Sequence, residues 1–194
     1  MSLRITVSTV LPALRPASPA ERARRDHLAD LVVSFYDQFR DPLLRYLSSF
    51  GLVLQDREEV FQEIFLSLFQ HLDRGKSRDN IRGWLFRVGH NLALKRRYRT
   101  RLDLEARTEA GAAEFAIDPA PNPEDQLVNR QTRQRLLAVV DALPELDRRC
   151  LYLRAEGLRY REIAEILEIS LGAVSISLAR SLARIARAAE TVNL

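Results

Sequence analysis

The apolar residues of this chain recur at helical spacing along most of its length. Val32, Phe35, Tyr36, Phe39, Leu43, Tyr46, Leu47 and Phe50 fall at steps of three and four, the signature of one helix face. Asp41-Pro42 lies inside that run and predicts a kink or a newly capped segment there. Gly51 predicts the end of the helix. A second stripe, Val60, Phe61, Ile64, Phe65, Leu68, Phe69 and Leu72, follows Asp56, which reads as an N-cap with Glu59 three residues on. The opposite side of this helix carries Glu59, Gln62 and Glu63. Residues 73–80 form a polar connection through Gly75, and a third helix is expected from about Ile81 to Arg99, with Trp84, Leu85, Val88, Leu92 and Leu94 turned inward. No stretch alternates with the period of two that a strand requires.

The pattern then lapses. Residues 102–124 contain alanines, acids and Asp118-Pro-Ala-Pro-Asn-Pro123, the composition of an extended linker. It resumes with Leu127, Leu136, Leu137, Val140 and Leu143, is interrupted by Pro144, and continues through Leu146, Cys150, Leu151 and Leu153 to Gly157. Two short helices close the chain, Tyr160–Leu167 and about Leu171–Ala189. The expected architecture is all-α: a flexible N-terminal arm (1–28), a first helical domain (29–101), an acidic Pro-containing linker (102–124) and a second helical domain (125–194).

The last two helices have the pattern of a helix-turn-helix. Ile163, Ala164 and Leu167 line one side of the first, with Ala164 small where a second helix must cross. Ile169 packs into the turn, Ser170 is positioned to cap the second helix, and Val174 and Leu178 point back to the core. Such a second helix lies in a major groove with its N-terminal residues at the base edges. Its outward positions read as Ala173, Ser175, Ile176, Ser177 and Ala179, none of which makes a bidentate base contact. Arg180, Arg184 and Arg187 form a basic stripe suited to phosphates, which position without specifying sequence.

Charge sharpens this picture. The net charge is +4 over 194 residues, but residues 74–101 hold ten Lys/Arg against Asp79 alone, and residues 102–127 hold seven acids against Arg107. A basic block beside an acidic one suggests a polyanion-binding surface followed by a tether. Lys95, Arg96, Arg97, Arg99 and Arg101 exceed what a helix C-terminus alone attracts. Catalytic chemistry is not expected. His27, His71 and His90 have no ligand spacing, Cys150 has no partner cysteine, and no P-loop or GxGxxG occurs, so neither a metal nor a cofactor is implied. Cys150 follows two arginines that would favour a thiolate, but reads foremost as a small buried apolar residue. The lone cysteine, the lack of a signal-peptide pattern and the absence of an 18-residue apolar run imply a cytoplasmic protein with no membrane insertion.

Three further motifs bring these features together. Asp41-Pro-Leu-Leu-Arg-Tyr-Leu47, Asp56-Arg-Glu-Glu-Val-Phe-Gln-Glu-Ile-Phe-Leu66 and Arg82-Gly-Trp-Leu-Phe-Arg-Val-Gly-His-Asn-Leu-Ala-Leu94 resemble region 2 of sigma-70 family factors of the extracytoplasmic-function group. Leu143-Pro-Glu-Leu-Asp-Arg-Arg149 and the helix-turn-helix resemble region 4. The resemblance covers roughly residues 29–188 and implies a sigma factor that binds core RNA polymerase, recognises and helps melt the −10 element through region 2, and contacts the −35 element through region 4. It implies that Asp56, Glu59, Gln62 and Glu63 dock on the β′ coiled coil, and that the helix around Leu146–Leu153 meets the β flap. It assigns −10 DNA to Lys76, Ser77, Arg78, Asp79 and Asn80, a pocket for a flipped base, and to Asn91, Lys95, Arg96, Arg97, Tyr98 and Arg99 along the strand. Trp84 and Phe86 stand as stacking wedges or, for Trp84 foremost, as core. It assigns −35 DNA to Ser170, Ala173, Ser175, Ile176, Ser177, Arg180 and Arg184. The family often has Lys and Arg where Ser175 and Ser177 stand, and Gly where Glu168 stands, so upstream readout is expected to be weak or to rely on DNA shape. An anti-sigma factor between the two domains is a further expected partner.

Two other classes of function fit parts of the sequence. A free-standing helix-turn-helix regulator leaves the 56–66 motif and the basic 87–101 segment unexplained, and capture of core polymerase separates it from a sigma factor. A helical adaptor that sequesters other regulators would suit the plain second helix, and promoter-dependent transcription separates that one.

Overall fold

The computed structural model describes residues 18–108 and 136–190. Helix α1 (Pro19–Ser48) opens on a reciprocal cap: the Glu21 amide donates to Ser18 Oγ at 3.2 Å, and the Ser18 amide donates to Glu21 Oε2 at 2.7 Å. Residues 19–28, expected to belong to a flexible arm, are therefore helical. Arg24 is tied to the far end of the next helix, donating to the Asp73 carbonyl at 2.6 Å. The arm's residues 1–17 lie outside the described residues. Pro42 does not divide α1. The helix runs through it, anchored by Leu43, Tyr46 and Leu47, all fully buried.

Gly51, at φ +70°, makes the turn into α2 (Leu54–Asp73). The N-cap is Val53 and not Asp56. Asp56 sits one turn in, buried, because its carboxylate is taken up by the third helix. Val60, Phe61, Ile64, Phe65, Leu68 and Leu72 are buried against α1 and α3 (Ile81–Thr108), while Phe69 is partly exposed. On α3 the inward positions are Ile81, Leu85, Phe86 and Ala93; Leu94 is exposed, its place in the core taken by Ala93. Gly89 lies where α3 crosses α2. A Cβ there would meet Ile64 Cδ1 at 3.0 Å, so its absence sets the closeness of the crossing. α3 continues seven residues past the expected linker boundary, to Thr108. The Pro-containing linker segment lies outside the described residues.

The described part of the second module opens on a helical stretch, 136–141, and a turn at Leu143-Pro144, followed by α4 (Glu145–Ala155), α5 (Tyr160–Leu167) and α6 (Leu171–Glu190). Leu143, Cys150, Leu153, Leu158, Ile163, Ala164, Ile166, Val174 and Leu178 are its buried apolar residues. Gly157 (φ +84°) turns the chain between α4 and α5. α5 and α6 are bent by 105° at a short break. The bend is made by Glu168 in the left-handed region at φ +55°, with the Ile169 amide returned to the Ala164 carbonyl at 3.0 Å. Ser170 caps α6, accepting from the Ala173 amide at 3.1 Å. No single described helix is long and apolar enough to cross a membrane.

The two modules touch. α4 packs beside α1, and α5 beside α3. At the centre, the Arg149 guanidinium lies 4.3 Å from the centroid of the Phe50 ring, and Arg148 donates to the Ser49 carbonyl at 3.1 Å.

Candidate polymerase and nucleic-acid interfaces

The acidic face of α2 follows from its amphipathic spacing. Glu59, Gln62 and Glu63 are exposed opposite the core stripe, and Leu66, one turn on, is 58% exposed beside them. An apolar side chain inside a polar stripe is the composition of a docking surface with a small desolvated centre. Leu66 is absent from the periodic core stripe of α2, and nothing in the periodicity ties it to the acids. Asp56 is not part of this exposed face. It is 8% exposed and accepts from Arg96 at 2.7 Å and from Thr100 Oγ1 at 3.3 Å. Arg96 also pairs with Glu59 at 2.7 Å. Asp56 therefore fastens α2 to α3 and orients Glu59 through a shared arginine.

The nucleic-acid-facing candidates of the first module lie on the 74–80 loop and on α3. The loop turns at Gly75 (φ +66°), and its base is held by His71, whose ring lies tilted against Trp84 with centroids 4.6 Å apart and which hydrogen-bonds the Ser77 carbonyl at 2.9 Å. Trp84 is thus a half-buried support. Phe86 is fully buried beside Tyr46 and is no stacking wedge. Lys76, Ser77, Arg78, Asp79 and Asn80 are all exposed. Ser77 Oγ donates to Asp79 Oδ2 at 2.7 Å and accepts from the Asp79 amide at 3.0 Å, which fixes the shape of the loop. Asn80 adopts φ +51° and accepts from the Gly83 amide at 3.1 Å, capping α3.

On α3, Asn91, Lys95 and Arg99 recur every fourth residue on one exposed face. Leu94, Tyr98 and Leu102 run beside them, 40%, 56% and 42% exposed, and the Arg101 guanidinium lies 5.6 Å from the Tyr98 ring centroid. Cations beside an exposed aromatic ring suit an unstacked strand. The charge run is divided by the fold. Arg96 turns to α2, and Arg97 turns to the second module, where it grips Glu145 through two bonds of 2.6 and 2.7 Å.

In the helix-turn-helix, α6 exposes Ser175, Ile176 (64%), Ala179, Leu182 (58%), Ala183 and Arg184, while Ala173 is half-buried behind the Ser170 cap. Ser177 was expected to face outward and does not. With Val174 and Leu178 in the core, helical rotation turns 177 and 181 toward α4. Ser177 is 1% exposed and donates to Asp147 Oδ1 at 2.8 Å. Arg180 closes the same carboxylate with bonds of 2.7 and 2.6 Å. The Arg180 hydrogen bond, outweighing burial, holds Asp147 below the usual carboxylate range. Arg180 is thus partly committed to fastening α6 to α4, while Arg184 and Arg187 of the stripe are exposed along α6. Cys150 is fully buried, and burial pushes its thiol up, so the neighbouring arginines do not make it a thiolate.

Comparison with known proteins bears on both modules. Residues 35–102 match the family model described as Sigma-70 region 2, and residues 133–185 match Sigma-70, region 4. The chain is 28% identical over 170 residues, 84% of its own length and 83% of the relative's, to the ECF RNA polymerase sigma-E factor of Escherichia coli K12. Its fold is similar to that of CnrH in a complex with the cytosolic domain of CnrY (TM-score 0.53, 20% identity, 82% of this chain and 88% of the other). It is also similar to the sigma factor RpoE solved with the anti-sigma factor NepR from Bartonella quintana (TM-score 0.58, 19% identity, 81% and 97%).

Proposed function

This chain belongs to the sigma-70 family, in its extracytoplasmic-function group, and is a sigma factor that directs RNA polymerase to promoters; on that premise we propose how its surfaces divide the work. Glu59, Gln62, Glu63 and Leu66 on α2 dock on core polymerase at the β′ coiled coil, with Asp56 acting behind them through Arg96. A polar, acidic stripe steers association with a basic partner, and its apolar member anchors the contact. The loop residues Lys76, Ser77, Arg78, Asp79 and Asn80 receive a flipped base of the −10 element. Asn91, Lys95, Tyr98 and Arg99 follow the melted strand along α3, with Arg97 joining them when it leaves Glu145.

The α5–α6 pair meets the −35 element. Ser170, Ala173, Ser175 and Ile176 lie at the base edges, and Arg184, with a part of Arg180, meets phosphates. Because the exposed side chains of α6 are small or apolar, the upstream contact positions more than it specifies. α4 meets the β flap. The chain performs no catalysis: polymerase does the chemistry in the cytoplasm, and this subunit supplies binding energy and strand opening. An anti-sigma factor regulates it, as RpoE is solved with the anti-sigma factor NepR and CnrH with the cytosolic domain of CnrY.

The observation that supports this reading most is the sequence of surfaces along one chain: an exposed acidic stripe, a cationic face with an exposed tyrosine, then a capped helix-turn-helix, in the order of the two matched family regions. The test is retention of core polymerase on the immobilised chain. Gln62→Ala with Glu63→Lys is expected to abolish retention, and Lys95→Ala with Arg99→Ala to preserve it. Equal retention by all three chains would overturn the docking assignment.

A further inference from the structure

The second module presents a row of carboxylates to the first. Glu145 grips Arg97 of α3 at 2.6 and 2.7 Å. Glu165 takes Arg87 of α3 at 2.8 Å, and Glu156 takes Arg45 of α1 at 2.8 Å. Glu162, besides capping α5, accepts from Asn80 Nδ2 at 2.7 Å. Four acids of α4, α5 and the turn between them thus engage three arginines and an asparagine of the first module, and every one of these contacts joins the two halves of the chain. Arg97 and Asn80 are residues assigned above to the −10 strand. A carboxylate held in a two-bond fork on an arginine is the same kind of partner as a phosphate.

We infer that the chain carries a closed state in which the carboxylates of its C-terminal module stand in for DNA phosphates on the N-terminal module, so that binding of the −10 strand requires the modules to part. This rests on the −10 reading of Arg97 and Asn80. The energetics suit a latch. The Arg97–Glu145 and Arg87–Glu165 side chains are each about half exposed, so each pair is screened and weak on its own. Around the better-buried contact of Arg149 with Phe50, several such pairs bias the equilibrium without fixing it. A polyanion competes for the same arginines and shifts the population to the open form in proportion to its differential affinity.

The experiment uses the full chain with dyes at Asp30→Cys and Ala183→Cys, both exposed, with the buried Cys150 left in place. Energy transfer between the dyes reads closure, and anisotropy of a labelled short single-stranded DNA of mixed sequence reads binding. The test variant is Glu145→Gln, Glu156→Gln, Glu165→Gln, which keeps the Glu162 cap. A control of equal charge change is Asp26→Asn, Asp37→Asn, Glu58→Gln, all exposed. The unmodified chain is expected to show high transfer that falls with added DNA and with salt. The test variant is expected to show low transfer and roughly five- to tenfold tighter DNA binding, from three screened pairs each worth a factor of about two. The control is expected to keep the transfer and to tighten binding less than about twofold. Low transfer in the unmodified chain, transfer unmoved in the test variant, or equal tightening in test and control each overturns the latch. If Lys95→Ala with Arg99→Ala leaves DNA affinity unchanged while the transfer results hold, the −10 reading has failed and the link to DNA goes with it. If that variant weakens binding but the opened chain binds no more tightly, the closed state does not compete with DNA.

Discussion

His90 places a titratable ring where charge is costly. It is 6% exposed on α3, bonded through Nδ1 to the Tyr46 hydroxyl at 2.8 Å and set edge-on to Phe50 at 5.5 Å. Burial, with the Arg149 charge as a second cause, lowers its pKa from 6.5 to about 4. The sign follows from proton counts. Between those two values the unfolded chain binds a proton that the folded chain refuses, so acidification favours unfolding across that window. Above pH 6.5 the ring is neutral in both states and contributes no pH dependence, and below pH 4 the loss saturates. A shift of that size corresponds to about 3 kcal/mol lost between pH 7 and pH 4. Denaturant unfolding at several pH values, on the parent chain and on His90→Gln, isolates this from carboxylate titration shared by both. The stability difference between parent and variant is expected to shrink by about 2–3 kcal/mol on going from pH 7 to pH 4. A constant difference across that range would show that His90 is not held neutral in the fold.

Three other outcomes are expected. Asp147→Ala removes the buried carboxylate that fastens α6 to α4 through Ser177 and Arg180 and should cost about 2–4 kcal/mol in denaturant unfolding; a loss under about 1 kcal/mol would contradict the role given to that network. Glu168→Gly relieves a left-handed residue at the helix-turn-helix bend and should stabilise the chain by about 0.5–1 kcal/mol, read as a raised unfolding midpoint, with a lowered midpoint refuting it. The salt dependence of single-stranded DNA binding should flatten by about 0.7 log units per contact per decade of salt for each of Lys95→Ala and Arg99→Ala. Arg96→Ala should change that slope less, because Arg96 is engaged by Asp56 and Glu59; equal slopes for Arg96→Ala and Arg99→Ala would contradict the division of the charge run.

The helices and the helix-turn-helix were legible because burial imposes a period on sequence. Ile163, Ala164, Val174 and Leu178 are core residues in the structure as their spacing implied, and Ser170 caps α6 as its place before an apolar run suggested. Local signals were missed where a stronger tertiary claim competed. Asp56 had the look of a cap, but Arg96 and Thr100 hold it. Pro42 had the look of a break, but the buried residues after it keep α1 whole. The start of α1 was readable in Ser18-Pro-Ala-Glu21, a capping box obscured by the prolines around it. The arginine run at 95–101 illustrates the limit. Periodicity assigns each residue to a face, but which face meets α2, which meets the second module and which is left for a ligand depends on contacts dozens of residues away in sequence. Ser177 is a similar case, one helical step from exposed Ile176 yet claimed by Asp147.

Two helical modules of one chain join core polymerase to promoter DNA. The most direct measurement is run-off transcription by purified core polymerase on DNA bearing promoters mapped after overexpression of the chain, with and without the purified protein. A defined start site and transcripts are expected only when the chain is present, and are expected to be lost with Gln62→Ala and Glu63→Lys. Transcripts indifferent to the chain, at low salt and with no inhibitor added, would show that it does not direct polymerase.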